Sequence, residues 1–362
     1  MKKNIMLKSF IKYVTLNVIG MIGFSCYILA DTYFVSKGMG ANGLTSLNLA
    51  IPVYTFINGI SLMIGIGGGA KYVLLSAKGE KDKANTIFTS SVQAGILCGL
   101  AFLTVGILLG NKISYILGAD NVTFAMTSLY LKTIMAFAPF IILNNIFLVF
   151  VRNDGNPKLS MLGMLFGSFS NIILDYVFIF PLNLGIFGAA FATGLSPVIS
   201  MIILSIYLLK RKNQFHLKKE KLNIKEVIKL CGTGASSFIT EISSGIVLIV
   251  FNMVILKLKG NIGVAAYGIV ANLALVVMAI FTGIAQGVQP LVSKSYGNKE
   301  KEQLYYILKY SIFLSVTIAI LVYGIVFFST DTLVSIFNKE KNKELSNLAV
   351  SGIHIYFTGF LF

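Results

Sequence analysis

Ten stretches of this chain are too long and too apolar to be anything but bilayer-crossing helices. Their rough limits are 10–36, 45–76, 86–110, 124–151, 159–181, 186–209, 228–257, 264–293, 304–329 and 347–362. A hydrocarbon core about 30 Å thick takes about 20 helical residues to cross. No water there satisfies backbone N–H and C=O groups, so only helices and closed barrels can span it. Barrel strands would run about ten residues with alternating polarity, and these runs do not alternate. Charged residues make up 12% of the chain, about half the share in soluble domains. The sequence therefore predicts an all-α polytopic membrane protein.

The net charge of +16 could suggest a nucleic-acid partner, but its distribution argues against one. Twenty Lys and Arg fall on one side of the predicted spans: Lys2, Lys3, Lys8, Lys12, Lys78, Lys81, Lys83, Arg152, Lys158, eight within 210–229, and Lys294, Lys299 and Lys301. Seven fall on the other: Lys37, Lys112, Lys257, Lys259, Lys339, Lys341 and Lys343. Cytoplasmic loops carry the excess of Lys and Arg, so the first side, with the N-terminus, is expected in the cytoplasm. The basic start lacks a small-residue cleavage site before its long apolar run, which reads as a retained first helix. The segment 210–229 reads as a solvated linker between two halves. Cys26, Cys98 and Cys231 lie in or beside apolar runs at spacings that fit no metal motif, and read as packing residues. Two distant histidines, His216 and His354, make a haem or zinc site improbable.

Function is signalled by carboxylates that ought not to be in apolar runs. Asp175 lies in Met161–Phe180, Asp31 in Val14–Val35 and Glu241 in Phe238–Ile255. An acid at membrane depth costs at least about 2.5–3.5 kcal/mol, and such residues mark ion, proton or substrate paths. Asn171 and Asp175 are one helical turn apart, as are Tyr27 and Asp31, so each pair shares a helix face. If the faces meet, they form a pocket suited to a shared proton or to a small hard cation. The alternative is that Asp31 and Asp175 are merely solvated near the interface. Glu241 and Asn252 are about three turns apart, roughly on one face. They form a candidate second site with Gln289, although an interhelical hydrogen bond would explain Asn252 equally well. The run Gly65-Ile66-Gly67-Gly68-Gly69-Ala70-Lys71 is no phosphate loop, because no Ser or Thr follows the Lys and no strand precedes it. It reads as a place where helices pack closely.

The two halves repeat. The stretch from Gly69 to Lys81 matches that from Gly287 to Lys299: a helix end, a small and basic turn with Gly, then a charged helix start. Both copies end their second helix on the same side, so the repeat is parallel, with an axis along the membrane normal. The expected domains are an N-lobe at 1–209 with six helices, a linker at 210–229, and a C-lobe at 230–362 with helices seven to ten. A repeat of about 220 residues predicts twelve helices, so the second lobe is expected to be incomplete in this chain.

With these residues in place, the chain resembles the multidrug and toxic compound extrusion (MATE) family of cation-coupled antiporters, in the bacterial branch of MepA- and DinF-like proteins. The resemblance lies in Ile28 to Val35, in Ser76 to Asp82, and in Asn171 to Asp175 followed by Gly185 to Ala190 and Thr193. It continues in Ala266 to Ile269 followed by Gly287, Gln289, Pro290 and Gly297. It implies two six-helix lobes in a V around a central cavity. It also implies an ion site at Tyr27, Asp31, Asn171, Asp175 and Thr193, with Glu241 similar to an acid that only some members carry. Two details depart from the family pattern: Gly232-Thr233-Gly234 stands where Gly-x-Pro is common, and Asn17 stands near a missing proline of helix 1.

The expected function is secondary antiport in a bacterial cytoplasmic membrane, exporting organic and often cationic compounds in exchange for Na⁺ or H⁺. No cofactor, resident metal or enzymatic activity is expected, and the molecule is expected to be a monomer in lipid. Two alternatives stay open: a flippase for lipid-linked sugars within the same superfamily, and a non-transporting membrane sensor or scaffold. An enzyme is disfavoured by the absence of any G-x-S-x-G or H-E-x-x-H motif.

Overall fold

The computed structural model describes residues 2–337 and 343–361, and these residues form helices joined by short turns. Lys339, Lys341 and Phe362 lie outside the described residues. The helices are α1 (Lys2–Ala77), α2 (Lys81–Ile116), α3 (Phe124–Ala136), α4 (Ala138–Asn153), α5 (Pro157–Ile179), α6 (Gly185–Leu209), α7 (Ile224–Gly297), α8 (Lys301–Phe337) and α9 (Lys343–Thr358), with a 3₁₀ turn at Gly359–Leu361.

Two of these elements are pairs of spans fused end to end. A helix of 76 residues would extend about 114 Å if straight, far more than a bilayer. It breaks at Gly40, where φ is 64° and ψ is −154°; α7 breaks at Gly260, where φ is 62° and ψ is −156°. Only glycine adopts such dihedrals without steric cost. The two breaks lie one sequence repeat apart and share one backbone geometry. Segments 10–36 and 45–76 are thus one helical run rather than two helices with a loop, and so are 228–257 and 264–293. The expected single span at 124–151 is two helices, α3 and α4, bent by 48°. Pro139 stands at the start of α4, and its ring and missing N–H interrupt the ladder there.

The buried apolar residues sort into three groups. One core joins α1 to α6 and reaches Phe215 and Leu230. A second joins α7, α8 and α9 through residues such as Val270, Val326, Ile353 and Phe357. A third bridges the two, with Met6, Phe10 and Val14 of α1 against Ile284 and Val288 of α7 and Ile307 of α8. Large apolar side chains such as Ile107, Leu108 and Phe328 are exposed, as expected where the surrounding solvent is lipid. Cys26 is exposed as well, so it does not fill a core as its apolar neighbours suggested.

The linker is largely exposed, but it is anchored to the first bundle. Phe215 is fully buried, packed against Tyr72, Phe88 and Phe150. Its flanking backbone is strapped to the first bundle. The N–H groups of Gln214, His216 and Lys218 donate to Asp154 Oδ2 (2.8 Å), Asn85 Oδ1 (2.9 Å) and Thr89 Oγ1 (2.9 Å). Asp154 also accepts from Tyr72 (2.6 Å) and Tyr207 (2.9 Å). Burial pushes the Asp154 carboxyl up, and these donors pull it part of the way back. The charged composition hid one anchoring aromatic. Phe215→Ala should cost about 3–5 kcal/mol, as for other buried Phe truncations. It should lower the melting temperature in detergent and speed tryptic cleavage among Lys210, Arg211 and Lys212.

Candidate functional site

The first bundle surrounds a set of buried and half-buried polar groups drawn from five spans. Asp31 comes from the first half of α1 and Tyr54 from its second half. Tyr130 comes from α3, Asn171 and Asp175 from α5, and Thr193 from α6. Asp175 and Asn171 are fully buried, and Asp31 is 7% exposed, so neither acid is solvated at an interface. With its amide oriented to satisfy both ends, Asn171 donates to Asp175 Oδ2 (2.9 Å) and accepts from the Thr193 N–H (3.2 Å). This is the i to i+4 stacking that the sequence spacing implied. Asp31 and Asp175 lie within electrostatic range of one another, and Tyr130 lies within range of both. The Tyr130 hydroxyl also reaches the Thr193 side chain. Oδ1 of Asp31 and Oδ1 of Asp175 reach no protein donor.

All five residues expected of the ion site therefore fall in one neighbourhood, with one difference of detail. The Tyr27 hydroxyl pairs with the Tyr54 hydroxyl at 2.9 Å, so Tyr27 borders the acids rather than joining them. Sequence reading missed Tyr54 and Tyr130. Among 16 tyrosines nothing distinguishes them, because their partners are set by helix packing and not by spacing.

Glu241, Asn252 and Gln289 do not form one site. Glu241 accepts a 2.7 Å hydrogen bond from Asn58 Nδ2 across the two bundles. Asn58 Oδ1 in turn accepts from Asn145 Nδ2 (2.9 Å), which also reaches Ser61 Oγ (2.6 Å). Gln289 accepts from Asn153 Nδ2 (3.1 Å) elsewhere along the same boundary. Asn252 is half-buried and bonds to neither. Glu241 lies on the first half of α7 and Gln289 on its second half, across the break at Gly260, so helical spacing alone could not group them. Asn58 and Asn145, polar residues in apolar runs, were the available signal for the Glu241 network.

An apolar recess of about 530 Å³ lies beside this network, lined by Pro52, Phe56, Phe102, Val105 and Met135 among others. Phe56 meets Phe238 of α7 edge-on at 5.7 Å. Among the described residues no cluster of His, Cys, Asp and Glu has the make-up of a metal site.

The sequence pattern that defines MatE matches residues 18–177 and 237–362. The chain belongs to the MatE family. It is 29% identical over 374 residues to the multidrug export protein MepA of Staphylococcus saprophyticus, covering 99% of this chain and 82% of that protein. It is 31% identical over 281 residues to MepA of Staphylococcus aureus strain MRSA252, covering 77% of this chain and 62% of that protein. The fold matches a MATE crystal structure in complex with MaD3S, with TM-score 0.90, 22% identity, and coverage of 98% of this chain and 79% of that one. It matches an outward-facing multidrug resistance MATE transporter of the MOP superfamily with TM-score 0.89, 23% identity and the same coverage. A MATE in the bent conformation scores 0.83, with 23% identity and coverage of 98% and 80%.

The MatE fold makes the Tyr27–Tyr54 pair a buried link between the two halves of α1. Tyr27→Phe or Tyr54→Phe alone leaves one buried hydroxyl unpaired, at about 1–3 kcal/mol. The double variant should cost less than the sum of the singles, which a double-mutant cycle on thermal unfolding will read.

Proposed function

We propose that this MatE-family chain is a secondary antiporter that exports organic, often cationic, compounds in exchange for Na⁺ or H⁺. The observation that carries the reading is the pair Asp31 and Asp175, two buried acids from different helices, each with one oxygen that no protein donor meets. Like charges held close in low dielectric repel strongly. A proton or a small cation relieves that repulsion. Thr193 and Tyr130 supply further oxygens near it, while the Asn171 amide donates to Asp175. An ion can shift the balance between two arrangements of the lobes only by binding them with different affinity. Neutralisation of this pair supplies that difference.

The lobe boundaries at 1–209, 210–229 and 230–362 belong to this proposal. So does an orientation with the N-terminus and the linker strap in the bacterial cytoplasm, as the positive-inside bias implies. The monomeric state belongs to it too. A lipid-linked sugar cargo would call for cations around the cavity; the buried charges of this site are acids. Recognition of an organic cation suits the same acids.

The test is efflux of a fluorescent cationic dye from proteoliposomes, with imposed Na⁺ and H⁺ gradients applied separately. One gradient should drive efflux, and Asp175→Asn should remove that response while the protein stays folded and monodisperse. Efflux unchanged in Asp175→Asn would refute the assignment of the site.

A further inference from the structure

Arg152 is the largest of the almost fully buried side chains, at 1% exposure in the last turn of α4. A sequence reading places it among solvated loop charges; the structure does not. Its Nη1 donates to Asn17 Oδ1 of α1 at 2.9 Å and to Gln286 Oε1 of α7 at 3.0 Å. Its neighbour Asn153 donates to Gln289 Oε1 of α7 at 3.1 Å. Two consecutive residues of the first bundle thus grip two residues of the second, one turn apart. No carboxylate lies within ion-pair distance of Arg152 among the described residues, and its Nε and Nη2 reach no protein acceptor. The bundles also touch closely through glycines of α7. A Cβ on Gly283 would lie 2.7 Å from Val18 Cα, one on Gly287 2.9 Å from the Tyr13 carbonyl, and one on Gly297 2.9 Å from Ala77 Cβ.

We propose that Arg152, with Asn17, Asn153, Gln286 and Gln289, is the latch that holds the linker-side ends of the two lobes together, and that it is built to release. Closure takes a full charge out of water and offers it one neutral acceptor from the other lobe, Gln286, beside Asn17 of its own lobe, with no counter-ion. A buried charge so served is costly, and removing one of its partners costs more. Opening rehydrates the guanidinium. The latch therefore closes the path while its own charge favours opening, so neither state traps the protein. Arg152 acts on lobe position and not on the ion, which makes it a positioning residue. The inference rests on the reading of the chain as an exporter whose lobes move.

The signs of three substitutions separate this role from plain packing. Gln286→Ala and Arg152→Lys keep the charge and weaken its partners, so both should favour parted ends. Arg152→Met removes the charge and keeps the bulk, so it should favour closed ends. Spin labels at Lys78 and Lys301, which are exposed in the two adjoining turns, would report the distance in purified protein with Cys26, Cys98 and Cys231 replaced. The expected result is a longer-distance population gained in the first two variants and lost in the third. Equal shifts in all three, or no shift in Gln286→Ala, would overturn the latch. Gln286→Ala leaves the buried Arg152 side chain intact, so the test survives if Arg152→Met does not fold. The distance needs no transport, so its failure is distinct from failure of dye efflux to couple to an ion.

Discussion

The architecture depends on a close crossing between α1 and α7. A Cβ added to Gly67 would run into the Leu230 carbonyl, and one added to Gly234 into that of Met63. Gly283 and Gly287 repeat the arrangement against Val18, Tyr13 and Val14. In lipid the hydrophobic effect does not drive helices together, so association relies on backbone approach, dispersion and interhelical hydrogen bonds. Glycine at both faces of the crossing supplies the approach. The bridging cluster of Met6, Phe10, Val14, Ile284, Val288 and Ile307 supplies the packing.

That crossing closes one end of the molecule and leaves the other free to spread. In the first half of α7, past Gly245, Val250, Phe251 and Met253 are exposed, and the second half of α7 returns to the first bundle at Gln286 and Gln289. The hydrogen bonds between bundles, Asn58 to Glu241, Arg152 to Gln286 and Asn153 to Gln289, lie on the closed part. The buried acids Asp31 and Asp175 lie inside the first bundle instead, near the Tyr27–Tyr54 pair. The polar groups thus fall into two systems: one gathers buried acids inside the first bundle, and the other joins the two bundles by hydrogen bonds.

The strap over 210–223 links these systems. Asp154 holds the strap and Arg152, two residues earlier, holds the other lobe. The same short turn therefore anchors the connection between the bundles and their contact. A carboxylate and a guanidinium so near in sequence do not pair with each other, because the end of α4 sends one side chain toward the strap and the other toward α7.

By itself, the sequence determined the helical class, the parallel repeat and the faces that carry the buried acids. Apolar length decides spans, and a four-residue spacing decides which side chains stack, as with Asn171 and Asp175. It also pointed to the close packing at Gly65 to Ala70, since a run of glycines in a span offers no side chains of its own to pack. Only the tertiary structure decided what those faces meet. Tyr54 and Tyr130 enter the site, Phe215 turns a basic linker into a docked strap, and Arg152 leaves the loops for the lobe boundary. Glu241, Asn252 and Gln289 part company there as well. Each outcome rests on contacts between residues far apart in the chain, and local periodicity carries no record of which helix will lie opposite.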